Sequence, residues 1–291
     1  MKEKLYFILS MIIFGAVGVF AKFIDMASSE IALFMSLIGG LLLLIISICT
    51  KHTFSWNRIK SNSIALFLAS FALCGNWIFL FQSYKETTIA NAALSYYFAP
   101  VVVIMLSPLV LKEKLSFQKV SCVAAALFGL YLILPNGGME KAEHHLLGIF
   151  YGLIAAVFYA VLTLVNKFIR NLHGLENTLI QLVLSLVLLL PYVIYTGGFT
   201  LFQLDGDSVL LMLLLGILHG GIGFYLFFSG MSGLKGQSIA ILSYIDPLTS
   251  LFISAIVLGE KMSILQLIGA ALLLGSTFVG EVSIKKKDRS R

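Results

Sequence analysis

The sequence predicts an all-α integral membrane protein in which ten transmembrane helices form two inverted five-helix repeats around a central cavity. Three observations predict this fold class. The 291 residues are 59% hydrophobic and only 12% charged, whereas soluble globular proteins carry about 25% charged residues. One stretch of the chain recurs 147 positions later without a gap. Lys and Arg residues are concentrated in alternate loops between the apolar segments.

The repeat links the middle of the chain with its C-terminal part. The first copy contains Tyr97, Pro100, Ser107, Leu111, Glu113, Lys114 and Ser116, and the second contains Tyr244, Pro247, Ser254, Leu258, Glu260, Lys261 and Ser263. The period is almost half of the chain length, which predicts two copies of one structural unit, residues 1–138 and 139–291. In membrane chains built this way, substrates bind near the bilayer midplane between the two halves.

Ten apolar segments follow one another along the chain. A spanning helix requires about 20 apolar residues, because about 30 Å of hydrocarbon is crossed at about 1.5 Å per residue. The first segment is too long for a signal-peptide core and is followed by many others, so we expect it to be retained. We predict helices at residues 5–24, 28–49, 63–83, 88–111, 117–134, 147–170, 174–196, 207–230, 236–258 and 262–282.

Turn and capping residues support several of these boundaries. Pro135-Asn136-Gly137-Gly138 follows the fifth segment, and Gly197-Gly198 follows the seventh. Ser263 and Gln266 have the spacing of a capping box at the start of the tenth segment.

The basic residues predict the orientation of the chain. If the N-terminus is cytoplasmic, 16 of the 20 Lys and Arg residues fall in cytoplasmic loops and four fall outside. The four outside residues are Lys22, Lys85, Lys141 and Lys261. This bias predicts that both termini are cytoplasmic in the plasma (inner) membrane. Five helices per repeat is an odd number, so the second copy enters the membrane from the opposite side, as an inverted repeat.

Composition also excludes several classes of partner. The net charge of +6 does not form a basic stripe, which argues against a nucleic-acid partner. Cys49, Cys74 and Cys122 lie in apolar segments without a CxxC pair, and the adjacent His144 and His145 do not make a metal site. We therefore predict no metal, no cofactor and no disulfide framework. The sequence does not predict the oligomeric state.

Ordered motifs in both halves resemble a known family. They include Phe14-Gly15 with Lys22 in the first helix, Ala90-Asn91-Ala92-Ala93-Leu94 with Pro100 in the fourth, and Leu111-Lys112-Glu113-Lys114-Leu115-Ser116 after it; Ile239-Ala240 with Pro247 and Leu258-Gly259-Glu260-Lys261 are the second-half versions. Together they resemble the drug/metabolite transporter superfamily, in its ten-helix EamA-type branch. The resemblance implies a central cavity and alternating access, most often for export of small metabolites such as amino acids.

Helical phase gives an independent set of candidate residues. Polar and small side chains fall on one face of several predicted helices, which points away from lipid because hydrocarbon offers no hydrogen-bonding partner. Small residues on such a face also serve helix packing, as in Gly216-x-x-x-Gly220. The candidate substrate-binding residues are Asn76, Trp77, Tyr96, Tyr159, Asn166, His219, Ser243 and Asp246.

Among these candidates, Asp246 has the strongest physical argument for a functional role. A carboxylate in mid-membrane costs about 2.5–3.5 kcal/mol on insertion scales, so an ionisable residue there indicates a functional site. Asp246 could bind a substrate ammonium group or take up a proton. Alternatively, it precedes Pro247 and could cap a restarted ninth helix. Its repeat counterpart is Ala99, so a kink at this position does not require an aspartate.

Pro100 and Pro247 are candidate hinges. Each removes a backbone hydrogen bond inside a helix and frees a carbonyl four residues earlier; the alternative is that both only bend their helices to fit the packing. His219 could accept a proton, donate to a substrate carboxylate or pack between helices. Trp77 could form an aromatic wall for a cation or could face lipid.

The residues favour a secondary transporter of a small polar metabolite that carries an amine. The resemblance implies that this metabolite is an amino acid or a related amine and that export is preferred. The sequence contains no nucleotide-binding motif. The driving force is therefore an ion gradient such as a proton gradient, exchange of one substrate for another, or the substrate's own gradient. The alternatives are an importer of a cationic small molecule and a membrane-embedded enzyme. An enzyme would need intramembrane catalytic groups, but no HExxH or GxSxG motif occurs and His219 is the only His within a predicted span.

Overall fold

A computed structural model of the chain describes residues 2–24, 26–87, 89–114, 116–133, 142–197, 199–200, 205–257 and 264–289. Within these ranges the regular structure is entirely helical. The helices are α1 (Lys2–Phe14), α2 (Val17–Phe23), α3 (Ser28–Cys49), α4 (Trp56–Ser61), α5 (Ser63–Glu86), α6 (Ile89–Tyr96), α7 (Ala99–Val110), α8 (Phe117–Ile133), α9 (Ala142–Asn166), α10 (Gly174–Thr196), α11 (Gly206–Leu215), a π-helical segment (Gly216–Gly223), α12 (Phe224–Ser232), α13 (Gly236–Leu242), α14 (Ile245–Val257) and α15 (Ile264–Arg289).

Five of the described helical stretches are long and apolar enough to cross a membrane. They are Ser28–Cys49, Ser63–Glu86, Leu146–Asn166, Gly174–Thr196 and Gly206–Ser232. Large apolar side chains also cover the exterior; Ile64 and Leu109, for example, are 77% and 79% exposed. An apolar exterior fits a hydrocarbon environment rather than water. The prediction of an all-α protein is confirmed, whereas the ten spans, the two repeat units and their inverted orientation stay predictions.

Several helices that the sequence predicts as continuous are broken. The first helix is interrupted at Gly15 and Ala16, the fourth at Tyr97 and Phe98, and the ninth at Ser243 and Tyr244. Pro100 is the second residue of α7 and Pro247 is the third residue of α14. The prolines therefore lie in the first turn of a new helix, where a missing amide proton costs little. The prediction that they sit inside kinked but continuous helices was wrong.

The eighth predicted helix contains a second irregularity. Residues Gly216–Gly223 form a π-helix that carries His219. Gly39 of α3 packs so closely here that a Cβ on it would lie 2.4 Å from the carbonyl carbon of Gly220. π-Helical turns are rare and occur often at functional sites. The wider turn changes the helical phase, so residues on either side of it do not share a face as a regular helix predicts.

Contacts between helices pair the two halves in matched fashion. The second helices of each half, α3 and α10, pack on one another, and so do the fifth helices, α8 and α15. The third helix of each half packs on the first helix of the other: α5 lies against α9, and α12 lies against α1. If each helix is replaced by its counterpart in the other half, the same set of contacts results.

Other boundaries differ in smaller ways. The sixth predicted helix ends at Asn166 rather than at residue 170, because tighter turns follow in which the Lys167 amide bonds to the Leu164 carbonyl. The short helix α4 was not predicted. The turn at residues 135–138, the capping box that begins at Ser263, and Glu260 lie outside the described residues.

The turn between α12 and α13 is held from both sides. Glu113, after α7, accepts hydrogen bonds from the amides of Gly236 and Gln237 at 2.8 and 3.2 Å. The ammonium group of Lys167 donates to the carbonyl oxygens of Met231, at 3.1 Å, and Leu234. An acidic group at a helix N-terminus and a basic group at a helix C-terminus both interact favourably with the helix dipole. These contacts join the α7–α8 connection and the end of α9 to one turn.

Candidate functional site

A cavity lies where the broken helices meet. Its empty volume is about 860 Å³, a value that includes the open space at its mouth. Helices α1, α2, α3, α5, α9, α12 and the π-helical segment contribute to its wall, together with the breaks before α7 and α14. The lining residues are Met11, Phe14, Gly15, Val17, Gly18, Met35, Asn76, Trp77, Leu80, Phe81, Tyr84, Tyr96, Tyr97, Ala99, Pro100, Tyr159, Leu162, His219, Phe224, Phe227, Ser243, Asp246 and Ser250.

Asp246 lines this cavity near the start of α14. Its Oδ1 accepts a hydrogen bond from the hydroxyl of Tyr97, at 3.0 Å. No backbone amide in the described ranges donates to this carboxylate, so it does not act as a helix cap there. The hydroxyls of Tyr84, Tyr96 and Tyr159 lie within electrostatic range of it. Among the described residues, Asp246 thus shares the cavity with tyrosine hydroxyls and has no basic partner.

A second polar contact joins α9 to the break before α14. The hydroxyls of Tyr159 and Ser243 are 2.9 Å apart. Ser243 also donates to the carbonyl of Ile239 at 2.8 Å. A serine hydroxyl has a single proton, so Tyr159 is the donor in the shared bond. This arrangement orients the tyrosine ring in the cavity wall.

Asn76 connects α5 with its neighbours. Its amide nitrogen donates to the carbonyl of Ala155 at 2.9 Å and lies 3.5 Å from the Tyr96 hydroxyl. Both amide protons therefore have an acceptor in reach, which leaves the amide oxygen as the group that can accept from a ligand.

His219 is almost completely buried, with 1% of its surface exposed. Its ring lies beside Phe20 and stacks on Phe14, with centroid distances of 5.3 and 6.5 Å. The carbonyls of Ile13 and Leu215 lie near the ring, but neither ring nitrogen makes a hydrogen bond in the described part of the chain. A buried polar group without a partner is costly. His219 is therefore a buried polar group of the cavity wall without a hydrogen-bond partner among the described residues.

Aromatic rings form much of the remaining wall. Trp77 is 4% exposed and meets the edge of Phe224 at a centroid distance of 5.0 Å. Phe224 in turn lies 4.9 Å from Phe14 and 5.8 Å from Phe227. Such ring pairs pack favourably at these separations. The wall therefore combines apolar faces with a few hydroxyl and amide groups.

Asp246 is the only acidic residue among the described lining residues, and these include no Lys or Arg. No group of three or more His, Cys, Asp or Glu that could hold a metal ion occurs in the ranges that the structure covers. The described lining residues thus supply one acidic group and no Lys or Arg.

The structure brings together seven of the eight candidate residues from the sequence, and Pro100 with them. Asn166 lies apart. Its amide oxygen accepts from Asn177 and Gln181 at 3.1 and 2.8 Å, and its amide nitrogen donates to the Leu162 carbonyl. This closed set of amides lies between α9 and α10. Pro247 is buried beside the site but does not line the cavity.

Sequence reasoning missed other parts of the wall. Tyr97 was noted only as a repeated residue, although it bonds to Asp246. Tyr84 and Phe224 were not singled out, and Phe14 was noted only as part of a family motif, because an aromatic residue in a membrane helix has the same sequence signature whether it faces lipid or a cavity. For Tyr97, the available signal in the sequence was its repetition as Tyr244.

Both halves of the chain match a known protein family. The model of the EamA-like transporter family matches residues 1–134 and 146–279. The chain belongs to the EamA-like transporter family. It is a membrane transporter of the drug/metabolite transporter superfamily, and the resemblance noted in the sequence is confirmed.

Relatives in this family cover most of the chain. An uncharacterized transporter, YxxF, of Bacillus subtilis (strain 168) is 30% identical over 267 residues, which are 91% of this chain and 85% of that protein. An uncharacterized transporter of Archaeoglobus fulgidus is 30% identical over 94% of this chain and 93% of its own length. The prediction that the chain is not an enzyme agrees with these transporter relatives.

Two further similarities are more distant. A probable amino-acid metabolite efflux pump of Escherichia coli (strain K12) is 23% identical over 62% of this chain and 64% of that protein. A solved crystal structure superposes with a TM-score of 0.79 over 96% of this chain and 98% of that chain, at 19% identity. At this identity, the second similarity shows the fold.

Proposed function

We propose that the protein is a secondary transporter that moves a small amine-bearing metabolite, an amino acid or a related amine, across the plasma membrane. Export is the favoured direction, in keeping with the probable efflux pump among the relatives. The substrate binds in the cavity between the two halves, and alternating access exposes this cavity to each side in turn. Protons are the candidate coupling ion.

The Asp246 carboxylate carries this proposal. It is the one acidic group of the described cavity wall, and its only hydrogen-bond donor within the described residues is the Tyr97 hydroxyl. A carboxylate away from water needs a compensating charge or a proton. A substrate ammonium group would supply the charge, and a proton would replace it when the substrate leaves.

The matched packing of the two halves supports the mechanism. Helix contacts are preserved when the halves are exchanged, and the family model matches two ranges of equal length. The breaks before Pro100 and Pro247 supply equivalent points at which the helices can bend, so we assign these prolines as hinges. With the basic-residue bias, this arrangement supports ten spans in two inverted repeats, with both termini in the cytoplasm.

The alternative is import of a cationic small molecule. The same lone carboxylate favours it, because binding a cation in the cavity does not depend on the direction of transport. Only a directional measurement separates the two.

Transport by purified protein in liposomes tests the proposal. Radiolabelled amines and amino acids are followed in both directions, with and without a pH gradient. Asp246→Asn and His219→Ala should each lose most transport. The matched control is Asp205→Asn: Asp205 caps α11 from outside the cavity through the Ser208 amide, and Asn caps equally well. Unchanged transport of every substrate in Asp246→Asn would contradict the proposed role of this carboxylate.

A further inference from the structure

The geometry points to an amine without a carboxylate group as the preferred substrate, rather than a zwitterionic amino acid. This inference rests on the proposed function, since it concerns the occupant of the same cavity. It narrows the substrate to a monovalent organic cation whose ammonium group pairs with Asp246 and whose body is apolar or aromatic.

The charges of the wall give the first argument. An amino acid brings one positive and one negative group into the cavity. Asp246 can compensate the ammonium group, but the described lining residues include no Lys or Arg for the carboxylate. A carboxylate that leaves water without a cationic partner pays a large desolvation penalty. A cation without a carboxylate avoids this penalty.

The imidazole of His219 and the backbone amides at the helix breaks do not replace a cationic partner for a substrate carboxylate. His219 has no fixed charge and lies beside Phe14 and Phe20, with no acidic neighbour among the described residues to hold a second proton. One imidazole N–H offers a single hydrogen bond. Pro100 and Pro247, in the first turns of α7 and α14, have no amide proton, and the amide of Asp246 bonds to the Ser243 carbonyl at 3.2 Å. The breaks are therefore poor in donors for an anion.

The aromatic wall gives the second argument. Phe14, Trp77 and Phe224 form a contiguous set of rings, and the Tyr96 and Tyr159 rings lie 5.9 Å apart on the side of the hydroxyl groups. An organic cation gains from ring faces through cation–π attraction. The body of an arylalkyl amine gains from the apolar surface. The apolar ring faces offer nothing comparable to a carboxylate.

Matched ligands test the inference on the purified full-length protein. Phenethylamine, phenylalaninamide and phenylalanine share a ring and an ammonium group, and phenylalanine alone has a carboxylate. Tryptamine, tryptophanamide and tryptophan form a second series. Thermal stabilisation gives apparent affinities, and competition in proteoliposome transport checks them. We expect the amines and amides to act at concentrations at least tenfold lower than the amino acids.

The possible results distinguish a failure of the inference from a failure of the proposed function. Amino acids that bind as tightly as their amides would overturn the inference and leave the proposed function standing. If no compound of either series stabilises the protein or is transported, and a wider panel of amines also fails, the proposed function falls with it. In Asp246→Asn, the affinity for the amines and amides should fall well below the wild-type value, because their ammonium group loses its partner.

Lys22 provides a further check, because its side chain lies outside the described part of the structure and it belongs to the helix that lines the cavity through Val17 and Gly18. Lys22→Met should leave the ratio of amine to amino-acid affinity unchanged. A selective loss of amino-acid binding in this variant would show that Lys22 holds a substrate carboxylate, and the inference would be wrong.

Discussion

The Tyr97 hydroxyl donates to Oδ1 of Asp246 at 3.0 Å and thereby joins the break in the fourth predicted helix to the break in the ninth. The repeat does not duplicate this bond. The counterpart of Tyr97 is Tyr244, which is 1% exposed and whose hydroxyl has no hydrogen-bond partner in the described ranges. The counterpart of Asp246 is Ala99. A helix break therefore precedes both Pro100 and Pro247, but only the second of these positions has an adjacent carboxylate.

This asymmetry gives a matched pair of variants. Tyr97→Phe removes the donor to Asp246, and a hydrogen bond to a charged group contributes about 1.5–3 kcal/mol. We expect apparent substrate affinity to fall by about tenfold or more, since about 1.4 kcal/mol is a factor of ten. Tyr244→Phe removes a hydroxyl without a partner and should leave affinity unchanged and stability equal or higher. Equal effects of the two variants on substrate binding would contradict the assignment of Tyr97 to the site.

Gly15 determines how closely the first helix approaches the ninth. A Cβ at this position would lie 2.7 Å from Cβ of Thr249 and 2.8 Å from the Asp246 carbonyl oxygen. Gly15→Ala should therefore displace α14, cost about 1–3 kcal/mol of stability and reduce transport. Gly275→Ala, where a Cβ meets open space, should be neutral or stabilising by up to about 1 kcal/mol. Thermal unfolding in detergent and transport in liposomes measure both; wild-type behaviour of Gly15→Ala would refute the close approach.

Glu113 fastens the start of α13 through two backbone amides. Glu113→Gln replaces one accepting oxygen with a donor that faces an amide, and the loss of a cap typically costs about 0.5–2 kcal/mol. We expect a lower unfolding temperature and increased protease cleavage near residues 233–236. Asp207→Asn on the exposed first turn of α11 serves as the control. A stability equal to that of the control would show that the two hydrogen bonds contribute nothing.

Asn166 should behave as a structural residue. Asn166→Ala leaves Asn177 and Gln181 without a shared acceptor in a buried site, and each unsatisfied group costs about 1–3 kcal/mol. The unfolding temperature should fall, while the substrate affinity of the folded fraction should stay at the wild-type value. The reverse pattern, normal stability with weakened binding, would place Asn166 in the site.

Much of the helical arrangement could be predicted from the sequence, because long apolar segments and turn residues mark the ends of membrane helices locally. The second and seventh helices were predicted at residues 28–49 and 174–196, and they run from Ser28 to Cys49 and from Gly174 to Thr196. The breaks depend on partners distant in the chain. Gly15 interrupts its helix where the Asp246 carbonyl approaches it, and no local signal encodes that contact.

The lining residues could be predicted where a helix is regular, because helical phase then indicates which side chains share a face. Asn76, Tyr96 and Tyr159 share faces with other lining residues, and the cavity includes them. Asn166 shares a face with Tyr159 but lies seven residues, or about 10 Å, further along α9, where α10 supplies amide partners instead. The π-helical segment around His219 alters the phase of the eighth helix. Tyr84 and Tyr97 enter the site through tertiary packing, which periodicity does not report.

Substrate protection of a thiol beside Asp246 tests the central claim most directly. Ser250 lines the cavity one turn after Asp246. In a protein with Ser250→Cys and the native cysteines Cys49, Cys74 and Cys122 replaced, the rate of modification by a small thiol reagent is measured with and without a transported amine. We predict that the amine slows the reaction at position 250 and that Asp246→Asn removes this protection. A transported amine that leaves the modification rate unchanged would contradict the claim that substrate occupies this cavity.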